Sequence, residues 1–270
     1  MISREETMFN IIIKDNYDEV SAEAFKVMKE VVKKENCVLG LATGSSPVGL
    51  YKEMIKDYEA GNTSYKNIRS WNLDEYVGIP HTHEQSYWTF MHENLFNHID
   101  IKEENVHVPC GEGDDIEQNC KDYEKSMEGV IIDLQVLGIG SDGHIAFNEP
   151  GSSLASRTRV KTLTQDTIIA NSRFFNNDIN LVPKTALTVG VGTIMDAKEV
   201  LILANGHAKA RALYHAVEGC VNHMWTISVL QMHPKGIIVC DDAATEELKV
   251  GTVNYFKDIE KNNLNAESLL

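Results

Sequence analysis

Three ionisable side chains lie close together after an apolar stretch of the sequence. The segment V-L-G-I-G-S-D-G-H-I-A-F-N-E-P-G, residues 136–151, contains Asp142, His144 and Glu149. Histidine exchanges protons near neutral pH, and a neighbouring carboxylate fixes its tautomer and raises its basicity. Such groups, presented together after a strand, can act on a small molecule. This segment is our first candidate active site, although a strand-to-loop turn with only local hydrogen bonds fits these residues about equally well.

Two further apolar runs also end in polar side chains. Residues 68–73 are followed by Asp74, a carboxylate that we take as a second site candidate. Residues 37–42 are followed by T-G-S-S-P, where a glycine permits close backbone approach and hydroxyls can bind a phosphate at a helix start. An ordinary helix N-cap is the simpler interpretation of this pentapeptide alone. The members of the candidate phosphate loop are Thr43, Gly44, Ser45, Ser46 and Pro47.

The glycines of the first segment also spell G-x-G-x-x-G, a fingerprint of dinucleotide-binding sites. They are Gly138, Gly140 and Gly143. In such a site the pyrophosphate lies at the start of the next helix, where this sequence has Asp142 and His144. A carboxylate repels a diphosphate, and Pro150 with Gly151 interrupts any helix that should follow. The pattern therefore disfavours a nicotinamide-dependent oxidoreductase.

These candidate residues need a scaffold that brings several strand ends together. Short apolar runs alternate with amphipathic helical segments along the chain. This alternation predicts an α/β fold, a single doubly wound (Rossmann-like) domain over residues 8–260 with a mostly parallel sheet flanked by helices. The leader 1–7 and the tail 261–270 are expected to be flexible. The predicted strands are 9–14, 37–42, 68–73, 131–137, 186–191, 200–204 and 236–241, and the predicted helices are 18–34, 47–60, 85–98, 117–128 and 207–218.

Composition excludes several classes of partner. The 25 Lys plus Arg against 40 Asp plus Glu give a net charge of −15, which argues against a nucleic-acid or anionic-membrane surface. The 5 cysteines lack C-x-x-C spacing and are odd in number, so no disulfide framework or zinc site is indicated. His81 and His83 lack a third metal ligand at a recognisable spacing. With no signal-peptide or membrane-span pattern, we expect a cytoplasmic protein.

Three motifs at strand ends together resemble one enzyme family. They are T-G-S-S-P at 43–47, N-L-D-E-Y-V-G at 72–78 and G-I-G-S-D-G-H-I-A-F-N-E-P at 138–150. The resemblance to glucosamine-6-phosphate deaminases continues through S-S-L-A-S-R-T-R, N-S-R-F-F, A-L-T-V-G-V-G-T and V-E-G-C-V-N-H-M-W-T, to about Phe256. It implies conversion of glucosamine 6-phosphate and water to fructose 6-phosphate and ammonia, without a metal or an organic cofactor.

The resemblance implies a role for each ionisable residue. Asp74 would move a proton between C2 and C1 of the sugar, His144 would help to open the ring, and Asp142 and Glu149 would support the histidine. This division is chemically sound, because a closed ring must open before a base can remove the C2 proton. Asp74 must be ionised to act as the base, so we expect a polar pocket around it.

Positive charge for an anionic substrate would come from the second half of the chain. Arg173 and Lys209 match the family's phosphate-binding positions. An arginine can hold phosphate bidentately, and Lys209 lies near a predicted helix start. Without the resemblance, a surface ion pair for Arg173 and a solvated helix position for Lys209 would be preferred. Residues 163–183 correspond to the family's mobile lid, whose closure would exclude water.

A second set of residues matches a regulatory site found in allosteric members of the family. There the activator is N-acetylglucosamine 6-phosphate, the site lies between subunits and the assembly is a hexamer. Two basic side chains of T-R-V-K-T would alternate toward one face of an extended segment. A solvated basic strand is the alternative interpretation. The set comprises Ser152, Arg159, Lys161, Thr162 and Tyr255.

Two other functions compete with the deaminase. A 6-phosphogluconolactonase shares this broad fold and a G-x-D-G-H core, but its motif does not continue as I-A-F-N-E-P, so Glu149 and Asp74 in N-L-D-E-Y argue against it. A non-catalytic sugar-phosphate sensor, such as a repressor's effector domain, would need a DNA-binding segment. This acidic chain has no basic patch and no spare length for one.

Overall fold

The computed structural model describes residues 9–262, in which strands and helices alternate. The strands are β1 (Asn10–Lys14), β2 (Val38–Leu41), β3 (Arg69–Asn72), β4 (Asp74–Tyr76), β5 (Val106–His107), β6 (Leu134–Gly138), β7 (Arg159–Thr162), β8 (Thr185–Thr188), β9 (Val200–Ala204) and β10 (Gly236–Asp241). The helices are α1 (Tyr17–Val32), α2 (Val48–Glu59), α3 (Tyr87–Asn94), α4 (Ile116–Ser126), α5 (Gln165–Asn171), α6 (Val191–Met195), α7 (Ala210–Val217) and α8 (Val250–Asn262). The predicted leader 1–7 and the tail from 263 lie outside the described residues.

Seven strands form one parallel sheet in the order β1-β10-β9-β6-β2-β3-β5. From β2 the chain adds β3 and β5 on one side, whereas from β6 it adds β9 and β10 on the other. In open α/β sheets, ligands bind beyond the carboxyl ends of the strands where the order reverses in this way. The predicted doubly wound α/β fold is confirmed, and the loops after β2 and β6 become neighbours.

Both faces of this sheet are buried beneath helices. Along β9, Val200 and Ile202 belong to one apolar cluster, which includes Leu213 of α7, while Leu201 belongs to another, which includes Leu50 of α2. Successive strand residues point to opposite faces, so a strand covered on both sides is continuously apolar. Each fully buried aliphatic side chain contributes about 1.5–3 kcal/mol. Within residues 9–262, no helix is long and apolar enough to cross a bilayer.

A small second sheet differs from the predicted strand pattern. β4, β8 and β7 form a three-stranded antiparallel sheet in the order β4-β8-β7. The prediction of a single buried strand over 186–191 is wrong, because β8 ends at Thr188 and α6 begins at Val191. Gly190 makes this turn possible, because a Cβ there would lie 2.1 Å from the carbonyl oxygen of Ser156. An apolar run shows burial but does not reveal which sheet a strand joins.

Candidate active site

A cavity of about 300 Å³ lies at the carboxyl ends of the central strands. The loops after β2 and β6, the start of β4, the turn before α7 and part of segment 163–183 contribute to its wall. Nine of the predicted site residues line it: Thr43, Gly44, Ser45, Ser46, Asp74, Asp142, His144, Arg173 and Lys209. The structure thus brings together residues that are separated by more than half of the chain.

His144 is flanked by two carboxylates. Its Nδ1 lies 2.7 Å from Oδ1 of Asp142 and 3.6 Å from Oε2 of Glu149. Glu149 is buried behind the histidine, with 3% of its side chain exposed, whereas Asp142 is partly open to the cavity. With Nδ1 facing two acceptors, the imidazole presents Nε2 as its exchanging nitrogen.

The carboxylate of Asp142 is held in its ionised form. Burial tends to raise its pKa, but the hydrogen bond and the charge of His144 outweigh burial and keep that pKa below its usual value. The backbone N–H of His144 also approaches Oδ1 of Asp142, at 3.3 Å. An ionised Asp142 can hold the imidazole of His144 in place and would stabilise a positive charge on it.

Glycines allow this loop to fold so tightly. At Gly140, a Cβ would lie 2.5 Å from Cε1 of His144 and 2.6 Å from Oδ1 of Asp142. Gly143 has φ +77°, and a Cβ there would lie 2.5 Å from Cε3 of Trp225. Of the glycines that mimic a dinucleotide fingerprint, Gly140 therefore lets His144 lie against Asp142, and Gly143 lets Trp225 pack against the loop.

The segment around Thr226 forms hydrogen bonds with the backbone of the same loop. The sequence had not predicted this role. Its buried Oγ1 donates to the carbonyl of Asn148 at 3.0 Å and accepts from the N–H of Ile145 at 3.3 Å. The N–H of Ile227 donates to the carbonyl of Gly143 at 2.9 Å. The only advance signal was that Thr226 ends the conspicuous stretch V-E-G-C-V-N-H-M-W-T.

Asp74 begins β4 and faces the cavity, but its environment differs from our expectation of a polar pocket. Only 6% of the residue is exposed, and within residues 9–262 its Oδ1 has no hydrogen-bond partner. Burial, together with the neighbouring charge of Glu75, raises its pKa to about 8. Aromatic side chains packed around β4 disfavour the ionised form of Asp74, whereas much of the remaining cavity wall is polar, as expected.

Two of these aromatic residues were missed as site residues. Tyr76 and Tyr87 both line the cavity, and their ring centroids lie 5.0 Å apart. The sequence predicted a helix over 85–98 but no site residue within it. Tyr76 could have been found, because it lies two residues beyond Asp74 on one strand and shares its face. Tyr87 could not, since only the tertiary fold brings α3 to β4.

The candidate phosphate loop lies between β2 and α2. The hydroxyl of Tyr17 donates toward the carbonyls of Ser45 and Ser46, at 2.9 and 3.1 Å, and accepts from the N–H of Gly49 at 2.8 Å. Helix α2 begins after Pro47, which forms no side-chain cap, and the hydroxyl of Tyr17 satisfies the N–H of Gly49 in its first turn. The simpler interpretation of a serine N-cap therefore does not apply. The other N–H groups at the helix start and the hydroxyls of the loop suit an anion.

Two cations face this loop across the cavity. Arg173 lies in a 3₁₀ turn after α5, and Lys209 lies directly before α7. Within residues 9–262 neither forms an ion pair with a carboxylate. Burial lowers the pKa of Lys209, and the nearby charge of Arg173 lowers it further. A bound phosphate would relieve this repulsion, so the arrangement favours a dianionic ligand.

The histidine cluster also has the geometry of a cation site. Asp142, His144 and Glu149 each offer one ligand atom, and these atoms lie within 4.8 Å of one another. The two carboxylates, however, approach the same imidazole nitrogen, Nδ1. That arrangement equally suits a histidine held by two acceptors, which needs no metal.

Comparison with known proteins assigns this geometry to a family. Residues 14–238 match the family described as glucosamine-6-phosphate isomerases/6-phosphogluconolactonase. This chain belongs to that family. Curated glucosamine-6-phosphate deaminases of Parabacteroides distasonis and Phocaeicola vulgatus are 59% and 60% identical to it, over 96% and 94% of this chain and 99% of each relative.

Solved structures of two kinds of enzyme from the glucosamine-6-phosphate isomerase/6-phosphogluconolactonase family resemble this chain to different degrees. A monomeric glucosamine-6-phosphate deaminase superposes with a TM-score of 0.86 at 38% identity, covering 88% of this chain and 100% of that one. A 6-phosphogluconolactonase from Trypanosoma brucei has a TM-score of 0.73 at 19% identity, covering 90% and 99%. The second likeness concerns the fold alone.

One member of the second predicted set, Arg159, contacts the histidine loop. Arg159 and Lys161 are alternate residues of β7, and a guanidinium N–H of Arg159 donates to Oδ1 of Asn148 at 3.0 Å. Ser152 is buried, and its hydroxyl has no hydrogen-bond partner among the described residues. Tyr255 lies apart from these residues, on α8, which packs against β1.

Proposed function

We propose that this chain is a glucosamine-6-phosphate deaminase. It would convert glucosamine 6-phosphate and water to fructose 6-phosphate and ammonia. One observation carries the proposal: a single cavity joins a buried carboxylate, a carboxylate-flanked imidazole and two cations without ion-pair partners among residues 9–262. The curated relatives named as deaminases support this choice of substrate.

The phosphate of the substrate would bind between the Thr43–Ser46 loop and the cations Arg173 and Lys209. Backbone N–H groups at the start of α2, together with the hydroxyls, supply donors, and the two cations neutralise the dianion. This anchors one end of the sugar and directs C1 and C2 toward Asp74 and His144. Binding energy from the remote phosphate then orients the reacting carbons.

His144 would open the pyranose ring. Its exposed nitrogen transfers a proton between the C1 hydroxyl and the ring oxygen, so that C1 becomes an aldehyde. The carboxylates of Asp142 and Glu149 hold the imidazole and stabilise its charged form. Only the open form has a C2 proton acidified by a neighbouring carbonyl.

Asp74 would then take the C2 proton and return it to C1. Removal of this proton gives an enolamine, and protonation at C1 gives an imine at C2. Water adds to the imine, and ammonia leaves to give the ketone of fructose 6-phosphate. The ammonium group of the incoming substrate favours an ionised Asp74, which offsets the effect of burial on this carboxyl group.

A coupled assay for fructose 6-phosphate, with parallel measurement of ammonia, tests the proposal. We expect equal amounts of both products from glucosamine 6-phosphate, and unchanged activity after dialysis against EDTA because no step requires a metal. A 6-phosphogluconolactone substrate should not be hydrolysed. Lactone hydrolysis without ammonia release would overturn the proposal in favour of the lactonase function.

We further infer regulation by N-acetylglucosamine 6-phosphate at the second set, Ser152, Arg159, Lys161, Thr162 and Tyr255. Burial lowers the pKa of Arg159, and burial followed by the charge of Arg159 lowers that of Lys161, so an anion there would be stabilised. Because Tyr255 lies on α8, which packs against β1 and not against β7, the complete site would need a neighbouring subunit, and we propose a homo-oligomer, a hexamer. The similar solved deaminase is described as monomeric, so the fold does not itself require assembly.

Two finer proposals concern location and motion. The cysteines of the described residues are all free, which supports a reducing cytoplasm. Segment 163–183 packs through Ile168 and Phe175 onto a small apolar cluster that includes Tyr76, while Ile169 and Leu181 remain more than half exposed. We infer that this segment acts as a lid over the cavity and excludes water from the enolamine.

A further inference from the structure

Glu75 is a buried acid that the proposed mechanism does not use. It is 0% exposed and belongs to β4 between Asp74 and Tyr76. Those two neighbours line the cavity, whereas Glu75 does not. Since alternate strand residues point to opposite faces, its carboxylate lies behind the base. A buried carboxylate at this place needs partners that offset its desolvation.

The partners of Glu75 are backbone amides. Oε1 accepts from the N–H of Tyr76 at 2.9 Å and from that of Tyr87 at 3.0 Å, and Oε2 accepts from the N–H of Trp88 at 3.1 Å. Tyr87 and Trp88 form the first turn of α3, where helical N–H groups otherwise lack acceptors. The carboxylate therefore joins β4 to the start of α3.

This junction determines the wall of the cavity. Asp74 and Tyr76 approach from β4, and Tyr87 approaches from α3. Ser86 already caps the helix through the N–H of Thr89, so Glu75 supplies two further acceptors rather than replacing the cap. Loss of these bonds would let α3 move away from the strand and open the tyrosine wall around the base.

Titratable groups surround Asp74, and those across the cavity include both acidic and basic side chains. Tyr76, Tyr87 and Tyr123 face it from β4, α3 and α4. Across the cavity lie Asp142, His144, Arg173 and Lys209. Glu75 is the nearest acid in sequence. Burial raises the pKa of Glu75 itself, whereas the N–H groups of Tyr87, Trp88 and Tyr76 favour its charged form and oppose that rise. Burial and then Glu75 raise the pKa of Asp74.

We propose that Glu75 is a positioning residue for the base. It holds α3 against β4 around Asp74, and its negative charge makes the carboxylate of Asp74 bind a proton more tightly. This inference rests on the proposed function, in which Asp74 removes the C2 proton. A stronger base abstracts that weakly acidic proton faster, at the expense of a smaller ionised fraction at neutral pH.

The test is the pH profile of Glu75→Gln. Glutamine keeps a carbonyl oxygen for the N–H groups of Tyr76 and Tyr87 but removes the charge. We expect the acidic limb of kcat/KM to move to lower pH by about one unit. The plateau of kcat should fall roughly three- to tenfold, because the base is weaker. Glu112→Gln is the matched control: its exposed side chain also faces Glu75, and the limb should stay in place.

Glu75→Asp separates charge from geometry. It keeps the charge but shortens the reach to α3, so the acidic limb should remain near that of the wild type while kcat falls. If Glu75→Gln lowers activity equally at every pH and leaves the limb in place, the charge has no role and the proposal is overturned.

A measurement without substrate distinguishes failure of this inference from failure of the proposed function. The difference in unfolding free energy between the wild type and Asp74→Asn, followed against pH, reports the titration of Asp74 itself. Repeating the comparison in the Glu75→Gln background should move the end of that titration to lower pH. An unmoved titration overturns the role of Glu75 even if deamination is observed, and a moved one supports it even if deamination is not.

Discussion

At the scale of single residues, Asp74 combines an unfavourable environment with a chemical task. Its carboxyl group is buried, and its pKa is raised to about 8. Burial leaves the charged form of such a group poorly solvated, and this makes the carboxylate a strong base once it is ionised. Activity therefore requires the ionised form of Asp74, whereas the stability of the fold favours the protonated form. The two effects can be measured separately.

Asp74→Asn should retain substrate binding and lose turnover by a factor on the order of 10² or more. The amide keeps the shape of the side chain but cannot accept the C2 proton. Exchange of the C2 hydrogen with deuterium from solvent, followed by NMR, should also disappear. Normal deamination or exchange in this variant would remove Asp74 from the mechanism.

Asp74→Asn should also raise the free energy of unfolding at neutral pH. Between about pH 4 and about pH 8 the native state holds a proton on Asp74 that the unfolded state releases, so the stability of the wild type falls as pH rises through this window. Asparagine does not titrate, and its advantage should grow across that window and level off above it. Thermal melts should show a gain on the order of several degrees at neutral pH.

Asp142→Asn provides the matched control for the stability measurement. The pKa of Asp142 is lowered, because its hydrogen bond and charge interaction with His144 outweigh burial. Its ionised form therefore stabilises the fold above the unfolded pKa, and the asparagine variant should be less stable there, with the loss vanishing in acid. A loss at neutral pH for both variants would contradict the assigned environments.

His144→Gln should impair reaction of the closed-ring substrate far more than reaction of an open-chain analogue. Glutamine cannot shuttle the proton that opens the ring, whereas C2 proton transfer depends on Asp74. Steady-state kinetics on cyclic and open-chain substrates measure this ratio directly. Equal losses on both substrates would show that the histidine also takes part after ring opening.

At the scale of elements, the loop between β6 and β7 depends on a clamp from a distant 3₁₀ segment, Thr226–Met232. Thr226 bonds to two backbone groups of the loop, and Trp225 fills the space that a Cβ at Gly143 would occupy. The loop itself contains Ala146 in a left-handed conformation, with φ 49°. Such a backbone persists only where surrounding contacts hold it.

Thr226→Val should destabilise the protein by about 1–3 kcal/mol, because an isosteric apolar side chain leaves the N–H of Ile145 without its acceptor. The catalytic rate should fall further than stability alone explains, since the loop carries His144. Denaturant unfolding and kcat at a temperature well below the melt separate the two effects.

Ser228→Ala is the control for this clamp. The buried hydroxyl of Ser228 bonds to the backbone N–H and carbonyl of Asn222 and does not contact the histidine loop. We expect a comparable loss of stability with an unchanged kcat. Equal effects of both variants on kcat would mean that the segment matters only for folding.

At the scale of the whole molecule, assembly and regulation would act on the His144 loop through Arg159. Arg159 bonds to Asn148, which directly precedes Glu149, so a ligand at Arg159 could alter the carboxylate that supports His144. A coupling of about 1–3 kcal/mol would be typical of such a link.

The N-acetylated sugar phosphate should lower the half-saturating substrate concentration, and Arg159→Ala should abolish that response. The matched control is Arg157→Ala, since Arg157 pairs with Asp196 on the surface and should leave activation intact. Light scattering at several protein concentrations measures the oligomeric state. Hyperbolic kinetics that the N-acetylated compound leaves unchanged would show that the second set is structural.

Local patterns in the sequence were sufficient to predict much of this protein. Strands such as β9 and β10 were predicted with their observed ends, because a strand buried on both faces is continuously apolar. Asp74 and His144 were found as candidates because polar groups that follow apolar runs lie at the carboxyl ends of parallel strands. These signals depend only on neighbours along the chain.

Tertiary structure decided what depends on contacts between distant residues. The place of β2 beside β6, which creates the cavity, follows from strand order, and no local pattern encodes that order. Likewise, the second sheet carries Asp74, and Tyr87 approaches the base only after α3 packs against β4. The raised pKa of Asp74 has the same origin, since burial is produced by side chains from elsewhere in the chain. Residue types and spacing therefore determined which groups are available, and packing determined their protonation and their partners.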